Sequence, residues 1–399
     1  MGAFQEMQRE PGLPEGVSAG REQVPAFDRR AIPAAAHEGH WIAPDGSFIR
    51  RIDWAPAPES GGSGKRARGS LLFLPGRGDF YEKYLEALDR WHRLGWRVTA
   101  LDWRGQAGSG RLSDHPVTGQ LTGHVEDFAV WIDDLAAFWA EWQVETADVA
   151  GLNVIGPKVI VAHSMGGHLA LRALAERRID PVAMALSAPM LGFTTPGPMP
   201  VLHLVARAMC RFGDPARPAW KWSEKPGQKV SRRAALLTHD PARYADEMFW
   251  RKARPDLAMG PGSWRWIERG YASMRGLFAR GVLESIETPV LLLSARRDKL
   301  VDSRAIERAA ERLPRAQLVT WDEAYHELLR EEDTVRNEVL RRIDDFFDRL
   351  APVLPASERI DDHKDVSVVW KRSYEVYVET FHRSVCRCCE TMSVNWDFD

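Results

Sequence analysis

The sequence has no long apolar run and almost no net charge. No stretch reaches the ~18–20 consecutive apolar residues of a membrane-spanning helix. The first twenty residues, MGAFQEMQREPGLPEGVSAG, lack the apolar core of a signal peptide. The formal net charge is −2, which does not favour a nucleic-acid partner. We therefore expect a soluble cytoplasmic protein that at most rests on the inner face of a membrane.

Cysteine is scarce, with four in 399 residues. Cys210 stands alone, and Cys386, Cys388 and Cys389 cluster near the end of the chain. This spacing fits neither a disulfide framework nor a two-pair zinc site, so reduced thiols of a cytosolic protein are expected. The pattern His382-x-x-x-Cys386-x-Cys388 could hold a metal ion in principle, but we do not expect one there.

Strand and helix patterns alternate through most of the chain. The predicted strands are residues 70–75, 96–103, 158–164, 182–189, 289–295 and 316–324. The predicted helices include residues 81–95, 124–143 and 334–350. Because such alternation builds parallel sheets with helices on both faces, the sequence predicts an α/β fold with a mostly parallel central sheet.

The alternation is absent from three segments. Residues 1–40 are rich in proline, alanine and charge, and we expect a loosely ordered leader. Residues 190–285 show no clear strand pattern and carry five tryptophans, so we predict a helical cap inserted on top of the sheet. The core then comprises residues 41–189 and 286–352. For residues 353–399 we expect a disordered extension, with a small appended hairpin as the alternative.

The motif that carries chemistry lies in the run KVIVAHSMGGHLALRAL, residues 158–174. An apolar strand leads into Ser164 and a helical pattern leads out, as a nucleophile elbow requires. The elbow is usually written G-x-S-x-G, and its first glycine is Ala162 here. Alanine adds one methyl group at a position that need not adopt positive φ, while Gly166 keeps the other side open. Ser164 is therefore the predicted nucleophile.

A serine hydroxyl needs a base to take its proton and an acid to orient that base. After an elbow serine these follow in the order acid, then histidine. His326, in WDEAYHELLRE, lies between the last predicted strand and the final helix, and we predict that it is the base. Asp298 and Asp302 both follow the strand at 289–295. Asp302 is well placed to cap the next helix, so we favour Asp298 as the acid.

Two backbone amides should stabilise the negatively charged oxygen of the tetrahedral intermediate. One is the amide of Met165, which directly follows the nucleophile. The other is expected from the turn GRGDF, where Gly76 and Gly78 allow the backbone to approach a substrate and the amide of Arg77 would point inward. A tight surface turn is the structural alternative for this segment.

Seven motifs, in order along residues 40–350, resemble the α/β-hydrolase branch that contains monoacylglycerol lipases and bacterial lysophospholipases. They are GRGDFYEKY, LDWRGQAGSGR, GHVEDFAVWIDDLAAFW, AHSMGG, LSAPMLG, LTHDPARY and EAYHELLRE. The resemblance implies the α/β-hydrolase fold and an acid at Asp298, and that branch accepts alanine at Ala162. The histidine common before the oxyanion glycine in other lipases is Pro75 here.

These residues predict a serine hydrolase that cleaves the acyl ester of a lysophospholipid or monoacylglycerol without a metal or organic cofactor. A carboxylesterase for small soluble esters and a transacylase are alternatives. A non-catalytic binding protein of the same fold is a further alternative, which the complete set of three residues disfavours. The expected partner is a single-chain lipid ester, with peripheral contact at a membrane surface and no nucleic acid. The sequence does not fix the oligomeric state.

Overall fold

The centre of the molecule, seen in a computed structural model, is an eight-stranded sheet. The structure describes residues 27–54, 68–112, 123–146, 156–195, 197–220 and 233–350. The strands are β1 (Ala36–Ile42), β2 (Phe48–Trp54), β3 (Gly69–Leu74), β4 (Trp96–Leu101), β5 (Lys158–His163), β6 (Ala183–Ser187), β7 (Val290–Ala295) and β8 (Ala316–Trp321). Their order in the sheet is β1-β2-β4-β3-β5-β6-β7-β8. β1 and β2 are antiparallel to their neighbours, and all other pairs are parallel.

Helices cover both faces of this sheet. The described helices are α1 (Leu85–Arg93), α2 (Ala129–Glu145), α3 (Met165–Ala175), α4 (Met199–Phe212), α5 (Ala234–Leu237), α6 (Pro241–Ala253), α7 (Trp264–Leu277), α8 (Ser303–Arg312) and α9 (Asp333–Leu350). In β5, Ile160 and Ala162 face the apolar cluster that includes α2 and α3, whereas Val159 and Val161 face the cluster that includes α1 and α9. A strand buried on both faces must be apolar at every position, which explains the continuous apolar runs in the sequence.

All six predicted strands are present, each within three residues of its predicted ends. Every residue of β3, β6 and β7 is buried. The predicted α/β-hydrolase fold with its mostly parallel sheet is confirmed.

The predicted leader is wrong at its C-terminal boundary, because β1 begins at Ala36 rather than after residue 40. Only Ala36 and Trp41 are buried in β1, so its sequence carries too few apolar residues to reveal a strand. The residues before β1 are also anchored, since the side chains of Arg29 and Arg30 each lie 2.6 Å from the carboxylate of Asp246. Residues 1–26 lie outside the described residues.

The described part of residues 190–285 consists of α4, α5, α6 and α7 with short connecting turns, and we call this segment the cap. It follows β6 and returns the chain to β7, so it is an insertion between two adjacent parallel strands. Within the described residues, none of the helices is both long and apolar enough to cross a bilayer. The predicted extension at 353–399, with its three cysteines, lies outside the described residues.

Candidate active site

Ser164 lies at the sharp turn between β5 and α3. Its backbone has φ 51° and ψ −117°, a strained conformation that a non-glycine residue adopts only where the surrounding structure enforces it. Gly166 packs so closely against the carbonyl oxygens of Leu74 and Pro75 that an added Cβ would overlap them. Ala162 lies in the extended part of β5 and is not among the described residues with positive φ. The small residue is therefore essential at 166, while alanine is tolerated at 162.

The structure brings Ser164, His326 and Asp298 together from three separate loops. His326 Nε2 lies 3.0 Å from Ser164 Oγ, and His326 Nδ1 lies 2.6 Å from Asp298 Oδ2. The second oxygen of Asp298 accepts hydrogen bonds from the amides of Leu300 and Val301, at 2.7 and 2.9 Å. The acid is thereby fixed by its own loop, and the histidine is oriented with one nitrogen toward each partner.

Asp302 has the structural position that the sequence predicts for it. It is the N-cap of α8, and its side chain accepts a hydrogen bond from the amide of Arg304. An N-cap side chain of this kind accepts a hydrogen bond from a backbone amide that has no partner within the first turn of the helix. Of the two candidate aspartates, only Asp298 contacts His326 in the described structure.

The predicted oxyanion turn, GRGDF at residues 76–80, lies directly against the serine. A Cβ added to Gly76 would come within 3.1 Å of the Ser164 Cβ, so glycine is needed for this approach. The amide of Gly76 donates to Asp79 Oδ2 (3.1 Å), and the amide of Gly78 donates to Gln106 Oε1 (2.7 Å). Met165, whose amide is the other predicted donor, is the first residue of α3, and backbone donors at a helix N-terminus favour negative charge.

His326 is buried beside negative charge. Burial alone would lower the pKa of its imidazole, but the ionised Asp298 bonded to Nδ1 raises the pKa above its ordinary value. The pair therefore favours a positively charged imidazole, the form that His326 takes after it accepts a proton.

A second histidine lies next to this pair. The rings of His163 and His326 are 4.7 Å apart, and His163 Nδ1 is 3.1 Å from the carbonyl oxygen of Ser187. Burial, together with the neighbouring His326, lowers the pKa of His163 to about 4. His163 is therefore neutral at pH 7 and adds no positive charge beside His326.

A buried cluster of charges links the oxyanion turn, the histidine loop and the cap. The ammonium of Lys83 contacts three carboxylates, those of Asp79, Glu247 (3.1 Å) and Glu327 (2.5 Å). Arg330 contacts both Glu247 (3.0 Å) and Glu327. The Lys83 side chain has no measurable exposure, and neither has that of Glu247. We call this set the Lys83 cluster.

Three members of this region could in principle ligate a metal ion. Asp79, His163 and Glu327 offer ligand atoms within 4.8 Å of one another. The Lys83 ammonium, however, already contacts both carboxylates of this set. Because a cation of this protein's own occupies the position, the geometry does not favour a metal there.

Sequence reasoning missed His163 and the whole Lys83 cluster. His163 is part of the motif AHSMGG and could have been found by asking what lies beside an elbow serine. Four members of the cluster lie in the motifs GRGDFYEKY and EAYHELLRE, but nothing in the sequence shows that these charges meet one another or that Glu247 joins them.

Comparisons with known proteins agree with this fold. The family model Hydrolase_4, described as serine aminopeptidase, S33, matches residues 65–333. Lysophospholipase L2 of Escherichia coli (strain K12) is 32% identical over 294 residues, which cover 70% of this chain and 80% of that protein.

Solved structures show the same fold at lower identity. A soluble variant of monoglyceride lipase from Saccharomyces cerevisiae, in complex with a substrate analog, has a TM-score of 0.61 at 18% identity over 82% of this chain and 98% of that chain. A carboxyl esterase from Bacillus coagulans, in complex with glycerol, also has a TM-score of 0.61, at 16% identity over 81% and 100%. From its sequence match and its fold, this chain belongs to the Hydrolase_4 family of α/β-hydrolases.

Proposed function

We propose that this protein is a serine hydrolase that cleaves the acyl ester of single-chain lipids, lysophospholipids or monoacylglycerols, through an acyl-enzyme intermediate. The observation that carries the proposal is the chain of contacts from Ser164 Oγ to His326 Nε2 (3.0 Å) and from His326 Nδ1 to Asp298 Oδ2 (2.6 Å). Ser164 is the proposed nucleophile, His326 the general base and Asp298 the orienting acid.

In the first half of the reaction, Ser164 Oγ attacks the ester carbonyl carbon while His326 Nε2 takes the hydroxyl proton. The carbonyl oxygen becomes negatively charged and accepts hydrogen bonds from the amides of Met165 and Arg77. When the intermediate collapses, the C–O bond to the glycerol part breaks, and His326 gives its proton to the departing oxygen. Asp298 stabilises the imidazolium throughout, in agreement with the raised pKa of His326.

In the second half, a water molecule attacks the acyl-enzyme carbonyl and His326 accepts one of its protons. The same two amides hold the second oxyanion. Collapse breaks the bond to Ser164 Oγ, which regains its proton from His326, and the fatty acid leaves. A transacylase would differ only in replacing the water with a second lipid alcohol, so product analysis distinguishes the two.

The lipid part of the proposal has two supports. The cap contributes buried apolar side chains near the core, including Trp266, Tyr271 and Met274. An acyl chain bound beside such side chains would gain about 0.8 kcal/mol for each methylene removed from water. The relative at 32% identity is named a lysophospholipase, which supports a lysophospholipid in particular.

The outward face of α4 supports peripheral contact with a membrane. Val201, Leu204 and Phe212 lie on this face and are 55%, 66% and 86% exposed. The exposed Arg207 and Arg211 lie along one edge of this face. An apolar helical face with basic edges is typical of helices that bind anionic lipid surfaces. We propose that the protein is cytoplasmic and takes its substrate from the inner face of a membrane.

An active-site label tests the catalytic assignment. A fluorophosphonate should label Ser164, and Ser164→Ala should lose both the label and ester hydrolysis while its thermal unfolding stays close to that of the natural protein. Labelling of another serine, or full activity in the variant, contradicts the proposal.

A substrate series tests the lipid assignment. Rates are measured on esters from acetyl to palmitoyl, and on lysophospholipids beside diacyl phospholipids. We expect kcat/KM to rise with acyl length to at least a medium chain, and single-chain lipids to be preferred. If acetyl esters are the better substrates, the protein is a carboxylesterase for small esters.

A further inference from the structure

The side chain of Arg77 leaves the oxyanion turn and binds to the cap. Its Nη2 donates a hydrogen bond to the carbonyl oxygen of Gly260 at 2.9 Å. Its guanidinium carbon lies 5.0 Å from the ring centre of Trp220 and 5.0 Å from that of Trp266. Contacts of a guanidinium with aromatic faces at this distance are attractive, so Arg77 joins the turn to two aromatic rings of the cap.

The other fixed points of the turn lie mainly in the core. The amides of Gly76 and Gly78 are held by Asp79 and Gln106, and the indole of Trp103 donates to the carbonyl oxygen of Pro75 at 2.8 Å. These contacts hold the turn on both sides of Arg77. The peptide that presents the Arg77 amide lies between these contacts, and the Arg77 side chain adds one further contact, from the cap.

The neighbouring segment leaves room for this side chain. A Cβ added at Gly123 would overlap Nη2 of Arg77 and lie 3.2 Å from Cε of Met259. The amide of Gly123 donates to the carbonyl oxygen of Pro261 at 2.9 Å, so this segment is itself bound to the cap beside Gly260. Glycine at 123 thus keeps open the space in which the guanidinium lies.

We infer that the Arg77 side chain is a positioning device that makes the oxyanion hole depend on the cap. When the cap segment at Gly260 is in place, the guanidinium holds the Arg77 peptide toward Ser164. When that segment moves away, the peptide loses this support and the oxyanion loses a well-aligned donor. The inference rests on the proposed function, and it concerns the side chain only, since every variant of Arg77 other than proline keeps the amide.

A positioning role predicts a loss in turnover rather than in substrate binding. Removing one oxyanion donor altogether lowers kcat by about 10²–10³-fold, and a misaligned donor should lose part of that. We expect Arg77→Met to lower kcat about tenfold or more on both an acetyl and a medium-chain ester, with KM changed less than about twofold. The kcat of Arg77→Lys should lie between those of Arg77→Met and the natural protein, because lysine keeps the positive charge but lacks the planar guanidinium.

A second, independent variant displaces the guanidinium without changing the turn. Gly123→Ala should lower kcat in the same way, because the new methyl group occupies the position of Nη2. In the double variant this methyl group has no guanidinium to displace, so the two losses should not multiply. A trifluoromethyl ketone, whose adduct with Ser164 carries an oxyanion, should lose affinity by about the same factor as kcat/KM. Arg275→Met, an exposed arginine on α7, is the matched control and should change none of these values.

The inference is overturned by an unchanged kcat in Arg77→Met, by a raised KM at unchanged kcat, or by losses that multiply in the double variant. If Arg77→Met does not fold, Trp220→Leu removes one of the two aromatic faces and must lower kcat for the inference to stand. The proposed function fails separately, when the natural protein shows neither the Ser164 label nor ester hydrolysis, and the inference then fails with it. A labelled, active natural protein with an unaffected Arg77→Met contradicts the inference alone.

Discussion

The central strands of the core and helix α4 of the cap differ in how far their apolar residues are exposed. Every residue of β3, β6 and β7 in the core is buried, whereas α4 of the cap leaves Leu204 and Phe212 more than half exposed. The proposed catalytic side chains all lie in core loops, and the cap reaches them through Arg77 and the Lys83 cluster. The difference is what the proposed function requires, with the reacting atoms placed by the buried core and the proposed lipid contact placed on the cap. Substitutions in the core and in the cap should therefore have different effects on activity and stability.

The largest effect should come from the acid in the core. Asp298→Asn should lower kcat by about 10³–10⁴-fold with the fold intact, because the histidine loses its orientation and its countercharge. The activity of the natural protein should fall as pH drops through the raised pKa of His326, since a protonated imidazole cannot accept the serine proton. Losing the Asp298 charge removes a cause of that raised pKa, so this acid limb should move to lower pH in the variant.

Rate–pH profiles of both proteins check this prediction. Asp302→Asn is the matched control, because Asp302 caps α8 and does not contact His326 in the described structure. It should change kcat little. The opposite ranking of the two variants would move the acid to Asp302.

The next effect should be on stability and lies at the junction of core and cap. Lys83→Met removes the cation that Asp79, Glu247 and Glu327 share in a buried site. Asp79 then keeps no lysine or arginine partner among the described residues, whereas Glu247 and Glu327 keep Arg330. Breaking a buried ion pair in this way costs about 3–5 kcal/mol of unfolding free energy. Urea unfolding measures the change, and Lys252→Met, an exposed lysine on α6, should stay within about 0.5 kcal/mol. A loss of unfolding free energy below about 1 kcal/mol for Lys83→Met would mean that the Lys83 cluster does not stabilise the junction of core and cap.

A smaller and more selective effect should come from the cap surface. The double variant Leu204→Ser, Phe212→Ser should lower hydrolysis of lysophospholipid on anionic vesicles about tenfold, because two exposed apolar side chains no longer enter the lipid. Its rate on a soluble acetyl ester should not change. Val144→Ser replaces an apolar residue of α2 that is equally exposed but belongs to the core, and it should affect neither rate. Equal losses on vesicles and on soluble ester would contradict the division between core and cap.

The smallest effect should be at Ala162. Ala162→Gly should change kcat less than about twofold, because the alanine already fits the extended strand before the elbow. Glycine in a strand costs roughly 0.5–1 kcal/mol in conformational entropy, so a slightly lower melting temperature is expected. A large gain in turnover would show that the alanine methyl group distorts the elbow.

The core could be predicted from the sequence because its constraints are local. A strand covered by helices on both faces must be a short apolar run, and an elbow must be a strand, a serine and a helix with a small residue at position 166. The positions of Ser164, Asp298 and His326 followed from those runs and from chain order. Their catalytic roles stay predictions until the variants are measured.

The junction could not be predicted because its constraints act over long distances in sequence. Glu247 lies 164 residues after Lys83, and the sequence around each residue does not indicate that the two are in contact. β1 was missed for a different reason: it is an edge strand with only two buried residues, and its apolar Ile42 is exposed, so its periodicity is faint. The inferred role of the Arg77 side chain depends on Gly260, Trp220 and Trp266, which also lie more than 140 residues away in sequence.

The Lys83 cluster has a consequence for exchanging caps between related hydrolases. Glu247 enters the cluster from α6, so a grafted cap without a carboxylate there would leave Lys83 and Arg330 with fewer partners. A cap that brought the carboxylate but met an apolar residue at position 83 would lose one of the two cations, Lys83 and Arg330, that Glu247 contacts from outside the cap. Core and cap can therefore be recombined only as a matched pair at this junction, whereas substitutions on the exposed face of α4 leave the junction itself unchanged. Chimeras designed on this rule would vary the proposed lipid-contacting surface of α4 and keep the Lys83 cluster intact.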